Sequence, residues 1–327
     1  MEKRESGKKQ GKNRHLAPKV RKKGKLYTVL FVICLLVFLG SGGYLLNELV
    51  IIPYRSRASI GDFQNIYHHE ETSSGQITGE NNILDKFVPL LEMNEDTVGW
   101  LTIPNTSVDF PVFYKPDGNN FYLKRDAHKN SNKLGSLYIG DNCSMDPMSD
   151  VLVMYGHNME DNDEMFGQLM KFKSIDFLKE NPVFTFDTLY EESQWKILAV
   201  IRASTNDLDK NEYVYWQSDY ESDEDFMKFV QESRVRSMYN IEDDTNPEDQ
   251  LLVFSTCDYA FWGDRLVIVS RRLREGETEA QVRNSRIEKN PAAKYSQLYY
   301  DFYGGEAPSQ QEIEENYRSF YGTEDSE

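Results

Sequence analysis

Leu-Leu-Val-Phe-Ser-Thr-Cys occupies residues 251–257, and Arg265 follows eight positions later at the start of a second apolar run. Both runs have the length and composition of buried β-strands. A third apolar run, residues 151–155, ends in Gly156-His157-Asn158. A thiol, an imidazole and a permanent cation at strand ends suit the chemistry of a thiolate nucleophile with an oxyanion partner.

The rest of the pattern predicts a mainly β fold. Further short strand-like runs lie at residues 98–103, 108–113, 135–139, 183–187 and 195–203. Helical spacing is found at residues 83–93, 164–170, 174–180 and 223–239. Many short strands with few helices favour a closed or nearly closed β-barrel with helical insertions. The chain has no βαβ rhythm and no glycine-rich phosphate loop, which argues against a nucleotide-binding fold.

Charge is distributed unevenly along the 327 residues, whose formal total is −17. Residues 1–25 carry eleven Lys/Arg and two Glu, a local charge of +9, so the remaining residues carry −26. Such an acidic body would be repelled by nucleic acid, which is therefore not expected as a partner.

Residues 26–46 form a stretch of 21 residues without a charged side chain, long enough to span a bilayer as a helix. Basic residues on its N-terminal side predict a cytoplasmic N-terminus and an extracellular body. We therefore expect a single-pass membrane protein. A cleaved signal peptide and a buried core helix are the alternatives.

The predicted organisation has five parts. These are a basic cytoplasmic segment (1–25), a transmembrane anchor (26–46), a polar, partly helical stalk (47–82), a catalytic domain (83–274) and an acidic, tyrosine-rich C-terminal tail (275–327). The composition of the tail favours disorder or loose packing, and a tail that lies on the barrel through its tyrosines is the alternative. His68 and His69 in the stalk are expected to be solvated.

Three cysteines limit the chemistry of the chain. Cys34 lies in the predicted anchor and Cys143 in a polar loop, which leaves Cys257 as the candidate nucleophile. A Cys143–Cys257 disulfide is the alternative. No metal cluster or cofactor motif is found, and Asp161, Asp163 and Glu164 are interpreted as a solvated acidic loop.

The candidate residues have distinct chemical roles. The Cys257 thiolate can attack a peptide carbonyl, and protonated His157 can supply a proton to the departing amine. Arg265 does not lose its proton, so it is suited to stabilise an oxyanion or the substrate backbone. Each residue alone also has a structural explanation, as an apolar filler, a turn residue or a surface charge.

Residues beside the cysteine are candidate substrate contacts. Alternation along the strand places Ser255 on the same face as Cys257. Thr256 directly precedes the cysteine, and Asp258 and Tyr259 follow it in a loop that substrate could touch.

Several motifs together resemble one enzyme family. Residues 94–106 (NEDTVGWLTIPNT) and 108–112 (VDFPV) resemble the start of the catalytic domain of class B sortases. The stretches 155–159 (YGHNM) and 165–167 (MFG) resemble its histidine segment. Phe254-Ser255-Thr256-Cys257 resembles the Thr-Leu-Ser-Thr-Cys signature, with Val253-Phe254 in place of Thr-Leu. Arg265 matches the family arginine, and the resemblance covers residues 83–273.

The resemblance implies a transpeptidase on the outer face of a Gram-positive-type cell. Such enzymes cut a C-terminal sorting signal of a secreted protein after threonine, through a thioester. An amine of a peptidoglycan precursor or cross-bridge then takes the protein. By position, Cys257 would be the nucleophile, His157 the general acid and base, and Arg265 the oxyanion or substrate stabiliser.

Alternatives to this function remain open. One is a thiol peptidase that releases its products to water, and another is a pilin-polymerising sortase. A non-catalytic barrel that binds a wall component or a partner protein is the third. The family pattern does not account for residues 275–327.

Overall fold

The computed structural model describes residues 23–69, 82–159, 164–206 and 213–322. The chain divides into two compact units, Met1–Ile51 and Ile52–Glu327. The predictions made for Asp161, Asp163 and residues 1–22 lie outside the described residues.

The first unit is helical where it is described. Helix α1 (Lys23–Leu46) has 24 residues and continues into a π-helical turn at Asn47–Ile51. An α-helix of that length spans about 36 Å. Its large apolar side chains are exposed, and it is long and apolar enough to cross a membrane.

The second unit contains the strands and the remaining helices. The strands are β1 (Thr97–Thr102), β2 (Asp109–Phe113), β3 (Leu137–Ile139), β4 (Val151–Tyr155), β5 (Asn158–Met159), β6 (Glu164–Met165), β7 (Val183–Thr188), β8 (Gln194–Ser204), β9 (Tyr239–Ile241), β10 (Leu251–Cys257), β11 (Asp264–Arg272) and β12 (Ile287–Lys289). The α-helices are α2 (Ile52–His69), α3 (Val88–Met93), α4 (Ile175–Glu180), α5 (Asp223–Arg236), α6 (Glu279–Arg283), α7 (Gln297–Tyr303) and α8 (Gln310–Tyr321). Three 3₁₀ segments are Asp85–Phe87, Phe121–Lys124 and Phe166–Lys173.

Eight of these strands close into a barrel in the order β1-β2-β3-β4-β10-β11-β8-β7. Closure leaves no open sheet edge, and inward-facing apolar side chains fill the interior. Phe184 and Phe254 meet there with ring centroids 4.9 Å apart. The prediction of a mainly β barrel with helical insertions is confirmed.

Two predicted helices differ from the structure. Residues 164–170 do not form an α-helix, because they begin with the short strand β6 and continue as the 3₁₀ segment Phe166–Lys173. Helix α5 begins after the N-cap Ser222, whose side chain accepts a hydrogen bond from the Asp225 amide. It ends at Arg236 rather than at residue 239, because residues 239–241 pair with β12.

The interpretation of residues 47–82 as a polar stalk is wrong for α2, which packs on the barrel. Phe63 and Tyr67 are buried, and the Tyr67 ring stacks on Trp100 with centroids 4.1 Å apart. His68 is not simply solvated, because its Nε2 lies 2.7 Å from Asp109 Oδ2. His69 is exposed.

The expectation of a disordered tail is also wrong for the described residues up to 322. Strand β12 pairs with β9, and α8 begins with a capping box formed by Ser309 and Glu312. Tyr321 lies on the body of the protein, where its hydroxyl accepts a hydrogen bond from the Ile241 amide at 3.2 Å. The structure therefore shows the alternative, a tail that lies on the barrel through its tyrosines.

Candidate active site

Strand β10 is the centre of the candidate site, because it pairs with β11, which carries Arg265, and with β4, which leads directly to His157. Cys257 and Arg265 are direct partners in the antiparallel β10–β11 ladder. On the other side, β10 runs parallel to β4, with Ser255 opposite Tyr155. Residues directly opposite each other share one face of a sheet. The cysteine and the arginine are therefore neighbours on that face.

His157 lies two residues beyond Tyr155, level with Cys257, and three hydrogen bonds hold its segment beside β10. The Gly156 amide donates to the Ser255 carbonyl at 3.4 Å. The Thr256 hydroxyl donates to the Gly156 carbonyl at 2.7 Å, and the Asn158 side-chain amide donates to the Cys257 carbonyl at 2.8 Å. The sheet therefore brings the three predicted residues to one end of three adjacent strands.

The exposure of the cysteines distinguishes Cys257 from the others. All three cysteines are free, so the alternative of a Cys143–Cys257 disulfide is wrong. Cys143 is buried, and burial is the main cause that raises the pKa of its thiol to about 11. Cys257 is half-buried, so a substrate carbonyl can reach a sulfur that is still partly shielded from water.

The imidazole of His157 is held by a main-chain carbonyl. Its Nε2 lies 2.9 Å from the Leu123 carbonyl oxygen, in the 3₁₀ segment Phe121–Lys124. A carbonyl oxygen only accepts, so Nε2 carries the proton in this arrangement. Nδ1 is then the nitrogen that can accept or return a proton during a reaction.

Arg265 keeps most of its donors available. Its Nη1 donates to the Asp264 carbonyl at 2.9 Å. Within the part of the chain that the structure describes, Arg265 has no carboxylate at ion-pair distance. A guanidinium carries five N–H donors. The remaining donors can bind an oxyanion or a substrate carbonyl.

Tyr215 is a neighbour of the site that the sequence did not predict. Its hydroxyl lies 3.0 Å from the Ser255 hydroxyl, and its side chain is almost fully buried. Burial is the main cause that raises the pKa of Tyr215, with a smaller contribution from Cys257, while Ser255 and Arg265 act in the opposite direction. Tyr215 follows β8 in a stretch without strand or helix periodicity, so no sequence pattern indicated that it would lie at the site.

The four predicted substrate contacts have different surroundings. Ser255 is buried and bonded to Tyr215, and Thr256 is buried with its hydroxyl bonded to Gly156. The carboxylate of Asp258 is buried and contacts Lys173 and Arg202 rather than solvent. Tyr259 is half exposed, and its hydroxyl donates to the Asn158 carbonyl at 3.0 Å. Of the four, Tyr259 is the side chain most accessible to a substrate.

Comparison with known proteins points to one family, although no family model matches the chain. Sortase B of Listeria monocytogenes is 27% identical over 229 residues, which cover 70% of this chain and 88% of the relative. Sortase B of Staphylococcus aureus is 24% identical over 245 residues, covering 74% and 93%. A Bacillus anthracis crystal structure described as similar to sortase B is 25% identical, with a TM-score of 0.59. It covers 67% of this chain and 96% of its own.

These relatives and solved structures support a class B sortase, and they imply a cysteine transpeptidase. Strand β10 ends in Cys257, with His157 just beyond the end of one neighbouring strand and Arg265 at the start of the other.

Proposed function

We propose that this class B sortase homologue cleaves a C-terminal sorting signal of secreted proteins after threonine and transfers the protein to a cell-wall amine. The observation that carries the proposal is the register of β4, β10 and β11, which brings His157, Cys257 and Arg265 together at one end of the barrel. We assign Cys257 as the nucleophile, His157 as the general acid and base, and Arg265 as the oxyanion stabiliser.

The first half of the reaction forms a thioester. The Cys257 thiolate attacks the threonine carbonyl, and the carbonyl oxygen becomes negatively charged near the Arg265 guanidinium. Collapse of this intermediate breaks the peptide bond. Protonated His157 gives its proton to the departing amine, so the C-terminal piece leaves as a neutral amine.

The second half resolves the thioester. A primary amine of a peptidoglycan precursor or cross-bridge attacks the thioester carbonyl, and neutral His157 takes a proton from it. The new amide bond forms as the Cys257 thiolate leaves, which restores the starting state. Attack by water instead would make the protein a peptidase, so the two fates compete at the same thioester.

The proposed location is the outer face of the cell membrane. Helix α1 has the length and apolar surface of a membrane anchor, and the basic residues of segment 1–25 favour a cytoplasmic N-terminus. The barrel would then meet secreted proteins and wall precursors on the outer side.

The test uses the full chain in detergent and a library of threonine-containing sorting peptides, including peptides of the Asn-Pro-x-Thr type. Mass spectrometry should show an acyl adduct on Cys257 and a peptide cut after threonine. Cys257→Ala should abolish both, while circular dichroism shows the same fold. Cys143→Ala is the matched control and should keep activity within about twofold, because Cys143 is buried.

Two outcomes would contradict the proposal. Full cleavage by the Cys257→Ala protein would remove the cysteine from the mechanism. Cleavage without any joined product, when a wall-type amine such as a glycine oligomer is added, would favour the thiol peptidase.

A further inference from the structure

The loop that joins Cys257 to Arg265 has a buried carboxylate at each end. Asp258 directly follows the cysteine and Asp264 directly precedes the arginine. The Asp258 amide donates to the Asp264 carbonyl at 3.1 Å, which closes the loop. Both carboxylates are almost completely shielded from water.

One arginine joins the two carboxylates from the neighbouring strand. Arg202 in β8 lies with Nε 3.1 Å from Asp258 Oδ2, and its Nη2 donates to Asp264 Oδ2 at 2.6 Å. Lys173 contacts the other oxygen of Asp258. A buried charge is stable only when it is paired, so the position of the loop depends on Arg202.

The C-terminal tail covers this arginine. The guanidinium of Arg202 lies 5.1 Å from the Tyr299 ring centroid and 4.7 Å from the Tyr303 ring centroid, both in α7. The Arg202 Nη2 also donates to the Tyr303 hydroxyl at 3.1 Å. With this cover, the Arg202 side chain is only 10% exposed. Water is therefore largely excluded from the ion pairs, which strengthens them.

We propose that α7 and Arg202 form a positioning device for the loop that joins Cys257 to Arg265. In it, Tyr299 and Tyr303 hold Arg202 against Asp258 and Asp264. The inference rests on the proposed function of Cys257 and Arg265, and it gives the tail a role in that reaction. None of these residues needs to touch the substrate.

The position of this loop matters for the reaction because it determines which charges lie near Cys257 and Arg265. The charged groups that face the loop are Asp258, Asp264, Arg202, Lys173 and, at its end, Arg265. Burial first, and the neighbouring Asp258 second, raise the pKa of Asp264, so the carboxylates are only partly compensated. A weaker hold by Arg202 would let them attract Arg265 and would leave negative charge beside the thiolate. Both effects oppose attack on a carbonyl.

The experiment compares Tyr303→Ala, Tyr303→Phe and wild type as full-length proteins in detergent. Two rates are measured at a temperature where circular dichroism shows every protein to be folded. One is the rate of Cys257 alkylation by iodoacetamide, and the other is sorting-peptide cleavage resolved into kcat and KM. Tyr303→Ala should lower the alkylation rate and kcat by about fivefold with KM nearly unchanged. Tyr303→Phe keeps the ring and should recover most of the rate.

The chain offers a matched control in α8. Arg234 is ion-paired with Asp243 at 2.7 Å, its Nη1 donates to the Tyr317 hydroxyl at 3.2 Å, and the Tyr321 ring lies over it at 5.1 Å. This is the same arrangement of arginine, aspartate and tail tyrosines, but it does not contact the loop after Cys257. Tyr317→Ala should lower the melting temperature and leave both rates as in wild type.

The outcomes separate this inference from the proposed function. Alkylation needs no sorting peptide, so a wild type that is readily alkylated but cleaves nothing would contradict the proposed function alone. Equal alkylation rates in wild type, Tyr303→Ala and Tyr317→Ala would overturn the inference. If Tyr303→Ala does not fold, the alkylation rate of Tyr303→Phe relative to wild type tests the inference. This variant lacks only the hydroxyl bond to Arg202 and should still be measurably slower than wild type.

Discussion

Cys143 and Cys257 carry the same thiol in opposite surroundings. Cys143 lies inside the protein, where its sulfur accepts a hydrogen bond from the Val153 amide at 3.3 Å. Cys257 ends a strand and lies opposite a guanidinium. Burial raises the pKa of the Cys143 thiol, whereas Cys257 is half-buried at a strand end, where a substrate can reach it.

The proposed role of Arg265 depends on the shape of its side chain. A guanidinium presents several donors in one plane, whereas a lysine ammonium is a single compact charge. Arg265→Lys keeps the charge but should lower kcat by about a hundredfold, because the oxyanion loses a directed donor. Steady-state cleavage of a sorting peptide measures this. Arg318→Lys, at an exposed site in α8, is the control and should match wild type. An Arg265→Lys enzyme within twofold of wild type would exclude the assignment.

The residues of the site differ in how far the sequence could predict them. Cys257 and Arg265 end or begin an apolar run and His157 follows one closely, so strand periodicity alone predicts that they lie at strand ends. No comparable sequence pattern identifies Leu123 or Arg202. Leu123 contributes only its carbonyl oxygen to the site. Arg202 lies within a long strand, where an arginine would normally be interpreted as a surface charge. Their roles come from tertiary contacts, which local patterns do not contain.

At the scale of elements, the close packing of the β4 end positions the histidine segment. Gly156 lies between β4 and His157, with no room for a side chain. A Cβ placed there would overlap the Leu137 side chain and lie 2.7 Å from Phe166 Cδ2. Both neighbours are fully buried and cannot move away easily. The glycine therefore lets the chain leave β4 directly beside β10.

Gly156→Ala should destabilise the fold by about 1–3 kcal/mol through overpacking and should also lower activity by displacing His157. Urea unfolding, with peptide cleavage at low denaturant, measures both effects. Gly61→Ala is the matched control, since Gly61 lies in α2 with no atom within 4 Å of the added Cβ. It should raise stability by up to about 1 kcal/mol. A Gly156→Ala protein as stable and active as wild type would contradict the packing argument.

Periodicity predicted the barrel strands well and the peripheral elements poorly. Helix α2 does contain apolar residues at helical spacing, namely Ile60, Phe63 and Tyr67, but its polar residues dominate the composition. The tail has few aliphatic residues and packs through tyrosines. Tyr317 is buried and its hydroxyl bonds to Arg234, whereas Tyr321 is half-buried and its hydroxyl bonds to the Ile241 amide. Composition alone does not distinguish such a segment from a disordered one.

At the scale of the whole molecule, a cluster of charges joins the barrel to the start of the tail. Arg271 in β11 is fully buried, and its guanidinium donates to Asp244 at 2.9 Å and to Glu277 at 2.8 Å. Lys196 in β8 and Arg274 also contact Asp244. The cluster therefore connects two barrel strands, the loop before β10 and the segment that begins the tail.

This cluster predicts how stability depends on pH. The Asp244 side chain is 69% exposed. Partial desolvation opposes its ionisation, but the charges of Lys196, Arg271 and Arg274 outweigh this and lower its pKa from 3.8 to about 2. A carboxyl whose pKa is lower in the folded state stabilises the fold above its unfolded value, and this stabilisation is lost as pH falls towards the folded value. The contribution of Asp244 is therefore complete above about pH 5 and disappears between about pH 4 and about pH 2.

Asp244→Asn should melt about 2–4 °C below wild type near neutral pH, and the two melting temperatures should converge as the pH falls towards about 2.5. Thermal unfolding followed by circular dichroism across this range measures the difference. Asp117→Asn changes an exposed carboxylate in a turn and is the control, for which no pH-dependent difference is expected. Because Asp244 joins the barrel to the tail, a difference that stayed constant with pH would mean that its shape, and not its charge, holds the two together.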